Sequence, residues 1–210
     1  MLSFILGIFL VFYIGIILSK NIHKTLFIKL LTAFSFVFLF YKFSFSVQFF
    51  IFAFLTFFLI YASVIDYFQR IIPVMVPILL VIAGILLSFV NISLGETYLS
   101  RLINSISGII SGFGVLFIAG TLGQFVYKKE VMGGGDIKFM AGIGSFIGIE
   151  KVFLAVLIAA LAGSIAGLCL IALKKVERKG YIPFGPFLSS ATFISIFIQY
   201  PSSFFNMFFL

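Results

Sequence analysis

Residues 128–140 read KKEVMGGGDIKFM, a charged and glycine-rich stretch in a chain whose other long runs are almost wholly apolar. It holds one of only two aspartates in the sequence, directly behind three consecutive glycines. Reading it as a boundary between membrane-crossing helices, and not as a loop of a soluble domain, decides the fold. Of 210 residues, 63% are hydrophobic and 10% charged, and the mean hydropathy is +1.32. A soluble domain carries about 25% charged residues, so this chain lacks the polar surface to face water. The expected fold is an all-α polytopic transmembrane helix bundle, a single domain over 1–210 with no separate soluble domain.

The remaining composition excludes several classes. The formal charge of +8 sits in short clusters between apolar runs. Such clusters orient spans and touch anionic lipid heads, so membrane lipids are expected partners and nucleic acid is not. Cys169 is the only cysteine and lies in an apolar run, which implies neither a disulfide framework nor a metal site. His23 is the only histidine, so no ligand cluster can be built on imidazoles. The first twenty residues lack a basic n-region and a small-residue cleavage site, and are expected to be a retained helix.

Apolar runs separated by charges or turn residues give about eight candidate spans, at 1–19, 28–41, 47–65, 73–91, 102–126, 138–149, 152–173 and 182–199. Each is judged against the ~20 residues needed to cross a bilayer, and the second and sixth are short. With the N-terminus outside, eleven of the fourteen lysines and arginines fall in inner loops; only Lys42, Arg101 and Lys151 fall outside. The positive-inside bias therefore puts both termini outside. Asp66 then ends the third span and Asp136 opens the sixth, with one round trip between them. Both emerge at the cytoplasmic boundary.

Either aspartate alone has an ordinary explanation. Asp66, in SVIDYFQRIIP, reads as an interfacial carboxylate paired with Arg70, four residues on. Asp136 reads as an N-cap, with Gly133, Gly134 and Gly135 as mere loop. Together they have a chemical reading. Two carboxyls in one partly dry site cannot both ionise easily, so they share a proton and titrate as a pair. One member can then deprotonate a water while the other hydrogen-bonds the carbonyl under attack and helps protonate the leaving nitrogen. Three glycines ahead of Asp136 would open backbone angles closed to other residues and let an extended substrate pass. A zinc protease with two histidines, or a nucleophile with a histidine base, fails on inventory. The expected chemistry needs no cofactor and no metal.

These residues resemble a known family. MGGGDIKFMAGIGSFIG (132–148) resembles the G-x-G-D signature of the type IV prepilin peptidases, membrane aspartic endopeptidases of bacteria. IDYFQRIIP (65–73) resembles their first-aspartate motif, and YIPFGPFLS (181–189) the segment opening their final helix. The likeness covers roughly residues 47–198. It implies that Asp66 and Asp136 are the catalytic pair and that Gly133 and Gly135 are the signature glycines. It also implies that Lys138 stands at a common lysine position and that Pro183, Gly185 and Pro186 border the site. The implied substrates are prepilins or pseudopilins, cut at the cytoplasmic face of the inner membrane between a basic leader and a hydrophobic helix. Residues 1–46 would be accessory helices and 47–199 the catalytic ones. Asp136, at a helix N-terminus, is the expected base.

The chain also departs from the pattern. Many members carry a cytoplasmic domain with paired CxxC motifs between the first two spans, associated with N-methylation of the trimmed pilin. Here that interval is about KNIHKTLFIK and holds no cysteine, so methyltransferase activity is not expected. Val74 follows Pro73 where the family often has Asn or Asp. Glycines at four-residue spacing (108/112, 144/148, 163/167) suit close helix packing inside the bundle, and the 32 phenylalanines suit core and lipid-facing positions. Two other readings stay open at this point: a different G-x-G-D intramembrane protease, favoured by aspartates nearer the midplane, and a small proton- or cation-coupled transporter.

Overall fold

The computed structural model describes residues 22–128, 132–173 and 183–198, and every regular element among them is helical. α1 (Ile22–Phe43) turns into α2 (Val47–Gln69), where Ser46 caps the new helix by accepting the Phe49 N–H. α3 (Met75–Ser88) leads through a 3-10 turn, Ile92–Leu94, to α4 (Tyr98–Tyr127). A reciprocal capping box between Thr97 and Ser100 opens α4, satisfying donors that a helix start leaves free. α5 (Gly134–Ala172) and α6 (Gly185–Phe197) complete the described bundle. The first expected span, 1–19, lies outside the described residues.

By length and composition α2, α4 and α5 can cross a membrane, while α3 and α6 are shorter apolar helices. These are counts among the described residues, and α5 alone holds two of the eight expected spans. α3, with 14 residues, reaches about 21 Å at 1.5 Å per residue, short of the ~30 Å hydrocarbon core. The expected spans 138–149 and 152–173 fall within the single element α5, interrupted at Gly148, where φ is 73° and ψ 172°.

Gly148 turns the chain back. Gly163, fifteen residues on, lies against Phe184 and Phe187 at the start of α6, and Gly185 beside them is hydrogen-bonded to Asp66. A straight helix would carry Gly163 about 40 Å from Asp136. α5 therefore consists of two limbs, 134–147 and 149–172, folded against each other's direction. The break leaves carbonyls without their usual helical donors. Ser105 of α4 donates to the Ser145 carbonyl at 2.9 Å, and the Asn91 side-chain amide donates to that of Phe146 at 3.0 Å. In hydrocarbon each unsatisfied group would cost several kcal/mol, so these two side chains hold the fold-back together.

Packing around the first limb is close. A Cβ on Gly112 would overlap the Met140 carbonyl, and one on Gly84 of α3 would overlap the Ser145 side chain. The glycine spacing thus serves packing within the bundle. Phe52, Phe139 and Phe146 fill the core with Leu55, Leu59 and Leu80, whereas Phe34, Phe45 and Phe125 face outward. At the end of the bundle away from Gly185, the Lys42 ammonium donates to the Ile196 and Phe197 carbonyls, both at 2.9 Å, and closes α6.

Candidate active site

Asp66 occupies the last turn of α2. The helix ends at Arg70, whose left-handed backbone (φ 58°) lets its N–H donate to the Asp66 carbonyl at 2.8 Å. The chain then leaves as a short non-helical segment, because Pro73 cannot continue a helix, and re-enters helix at Met75. Ile72 in this segment is buried and lies against Gly135, where a Cβ would come within 3.3 Å of the Ile72 Cβ.

Asp136 stands in the first turn of α5, but it is not the cap. Gly133 holds the N-cap position with φ −68° and ψ 134°, angles open to any residue, and Asp136 donates its N–H to the Gly133 carbonyl at 3.1 Å. None of Gly133, Gly134 and Gly135 has a positive φ, so the expectation of special backbone angles is corrected. What these glycines supply is room: Gly135 admits the Ile72 segment, and Gly134 has nothing among the described residues within 4 Å of where its side chain would be.

The two aspartates line one cavity of about 350 Å³, together with Gly133, Gly134, Gly135 and Lys138. Arg70, Ile72 and Val74 line it from the α2–α3 segment. Both carboxyls are removed from solvent, Asp66 at 2% and Asp136 at 4% exposure. Asp66 Oδ2 accepts a hydrogen bond from the Gly185 backbone N–H at 2.8 Å, at the first residue of α6. Asp136 Oδ1 is buried with no hydrogen-bond partner among the described residues. Gly185 thus supports the site from behind Asp66, and Pro186 follows it in the first turn of α6. Pro183 and Pro186 are not among the described residues lining the cavity.

The α2–α3 segment entered the sequence reading only as the motif IDYFQRIIP, with Arg70 as a partner for Asp66 and no role given to Ile72. Their signal was the turn enforced by Pro73, which returns the chain across the face of Asp66. Among the described residues no three His, Cys, Asp or Glu side chains gather in a way that could hold a metal ion.

Long apolar helices and a pair of buried carboxyls at their ends define an integral membrane protein with a cavity that holds both aspartates. Residues 53–168, more than half of the chain, match the model of the type IV leader peptidase family, and the chain belongs to that family. It is 28% identical over 134 residues to a prepilin leader peptidase/N-methyltransferase of Aeromonas hydrophila, covering 63% of this chain and 43% of that one. The likeness to the protein of the same name in Pseudomonas aeruginosa is also 28% over 134 residues, covering 64% and 44%. The Haemophilus influenzae counterpart is 32% identical over 102 residues, covering 49% and 42%. The matched region thus spans less than half the length of these curated relatives. No solved structure matches the chain.

Proposed function

We propose that the chain is a membrane aspartic endopeptidase that removes the leader peptide from type IV prepilins or pseudopilins, with Asp66 and Asp136 as its catalytic pair. The observation that carries this reading is the shared cavity: residues seventy positions apart bring two nearly solvent-free carboxyls to one hollow. Membership of the leader peptidase family supports the substrate class. One carboxyl takes a proton from water as the water oxygen attacks the peptide carbonyl. The other hydrogen-bonds the carbonyl oxygen, and the pair together returns a proton to the leaving nitrogen. Gly134, open on its side-chain face, leaves space for a substrate backbone.

The same reading places the cavity at the cytoplasmic face of the inner membrane, in a chain of eight crossings with both termini outside, on the lysine and arginine distribution. It also holds that the trimmed pilin is not methylated here, although the relatives' names include that activity, because no paired cysteines are present. Membranes containing the protein, incubated with a prepilin, test the proposal. Trimming should vanish in Asp66→Asn and in Asp136→Asn while both variants keep the parent melting temperature. Unchanged trimming by either variant removes the pair from the chemistry. Mass spectrometry of the trimmed N-terminus reads the cleavage point and any added methyl group.

A further inference from the structure

The two carboxyls are not equivalent. Asp66 Oδ2 receives the Gly185 N–H at 2.8 Å, from a helix start whose free amides carry partial positive charge. A hydrogen bond of that kind favours a carboxylate over a carboxylic acid. Asp136 Oδ1 receives no donor among the described residues and is buried. A charged oxygen in that position would be costly, whereas a protonated carboxyl tolerates it far better and has a hydrogen to donate. Arg70 and Lys138 line the cavity that both share, and the α6 amide reaches Asp66.

We infer that Asp66 is the ionised base of the pair, fixed in place by the Gly185 amide, and that Asp136 carries the shared proton. The assignment rests on the peptidase reading above and reverses the expectation that a helix N-terminus makes Asp136 the base. Water gives a proton to Asp66 as its oxygen bonds to the peptide carbon, and Asp136 gives its proton to the carbonyl oxygen, leaving a gem-diol. The C–N bond then breaks as Asp66 passes its proton to the nitrogen, and Asp136 takes one back from a gem-diol hydroxyl. The products are an acid and an amine, and both aspartates return to their starting states. Gly185 is a positioning residue in this scheme. A Cβ there would come within 2.7 Å of Asp66 Oδ2 and 3.0 Å of its Cβ, so only glycine lets the amide approach.

Two measurements on the purified full chain test the assignment. Infrared difference spectra at neutral pH should show a carboxylic acid C=O band that is lost in Asp136→Asn and kept in Asp66→Asn; any other pattern overturns it. In a folded Gly185→Ala variant, kcat on a prepilin should fall about 100-fold, the penalty of a catalytic group displaced by roughly an ångström, with KM unchanged. Full kcat in that variant also overturns the proposal, and if the variant does not fold the infrared pair decides alone. Loss of trimming in both Asp variants with the band following Asp66 sinks only this assignment. Trimming that survives in either sinks the catalytic pair itself.

Discussion

Gly108 of α4 and Gly144 of α5 meet backbone to backbone: a Cβ on either would overlap the carbonyl oxygen of the other. Lipid gives helices no hydrophobic reason to associate, so approach this close supplies the van der Waals contact that does. It also fixes the height of α5, and with it Asp136, against the rest of the bundle. Gly144→Ala is expected to destabilise the detergent-solubilised protein by about 1–3 kcal/mol, as overpacking does. Gly114, on the same helix as Gly108 but with nothing within 4 Å, is the control. Thermal unfolding should show Gly114→Ala at or above the parent and Gly144→Ala well below it.

Gly148 should tolerate substitution no better, for a different reason. Its φ of 73° and ψ of 172° are essentially confined to glycine, and Leu94 lies 3.1 Å from where a Cβ would be. Gly148→Ala should cost about 1–3 kcal/mol in backbone strain alone. A melting temperature equal to the parent's would place the fold-back elsewhere in the chain.

Asn91 and Ser105 answer the carbonyls that the fold-back exposes. Asn91→Leu keeps the bulk but leaves the Phe146 carbonyl buried without its donor, at a cost of about 1–3 kcal/mol. The loss should show as faster amide exchange around residues 146–150. Exchange no faster than in the parent would mean that another group satisfies that carbonyl.

Lys42 ties α1 to the end of α6. Lys42→Met retains the apolar stem and removes both bonds to the Ile196 and Phe197 carbonyls. A loss of about 1 kcal/mol is expected, with fraying of the last turn of α6 read by exchange at residues 195–197. Because the start of the same helix holds Asp66, cleavage should be slower than in the parent only to the extent that the fraying reaches Gly185.

The pH dependence of cleavage should have a single maximum. The mechanism needs one carboxyl ionised and its neighbour protonated at the same moment. On the acid side the base is protonated and the rate falls; on the alkaline side the shared proton leaves and the rate falls again. A profile flat on both limbs would take acid–base work away from Asp66 and Asp136.

Much of the fold was legible along the chain. Helix positions follow from apolar runs, since a backbone in lipid must satisfy its own hydrogen bonds and so must be helical. α2 and α4 lie within a few residues of where the hydropathy put them, and the two aspartates stood out because a carboxylate is rare in such a chain. α5 was legible as two helices, although its break falls at Gly148, a little ahead of the charged pair Glu150 and Lys151 that marked it. The extent of α3 was not legible in the same way. α3 is shorter than its apolar run, because the residues after Ser88 are drawn into the turn that brings Asn91 to Phe146.

By itself, then, the sequence determined the membrane setting, the helices and the place of the two aspartates at helix ends, because hydropathy and helix signals act over neighbouring residues. Only the tertiary structure decided that Ile72 lies on Gly135, that Gly108 meets Gly144, and that the Gly185 amide reaches Asp66 while Asp136 Oδ1 receives no donor among the described residues. Those relations join residues up to 119 positions apart. They depend on which backbone can approach which and on where each buried polar group finds its partner. No local pattern of residues encodes that.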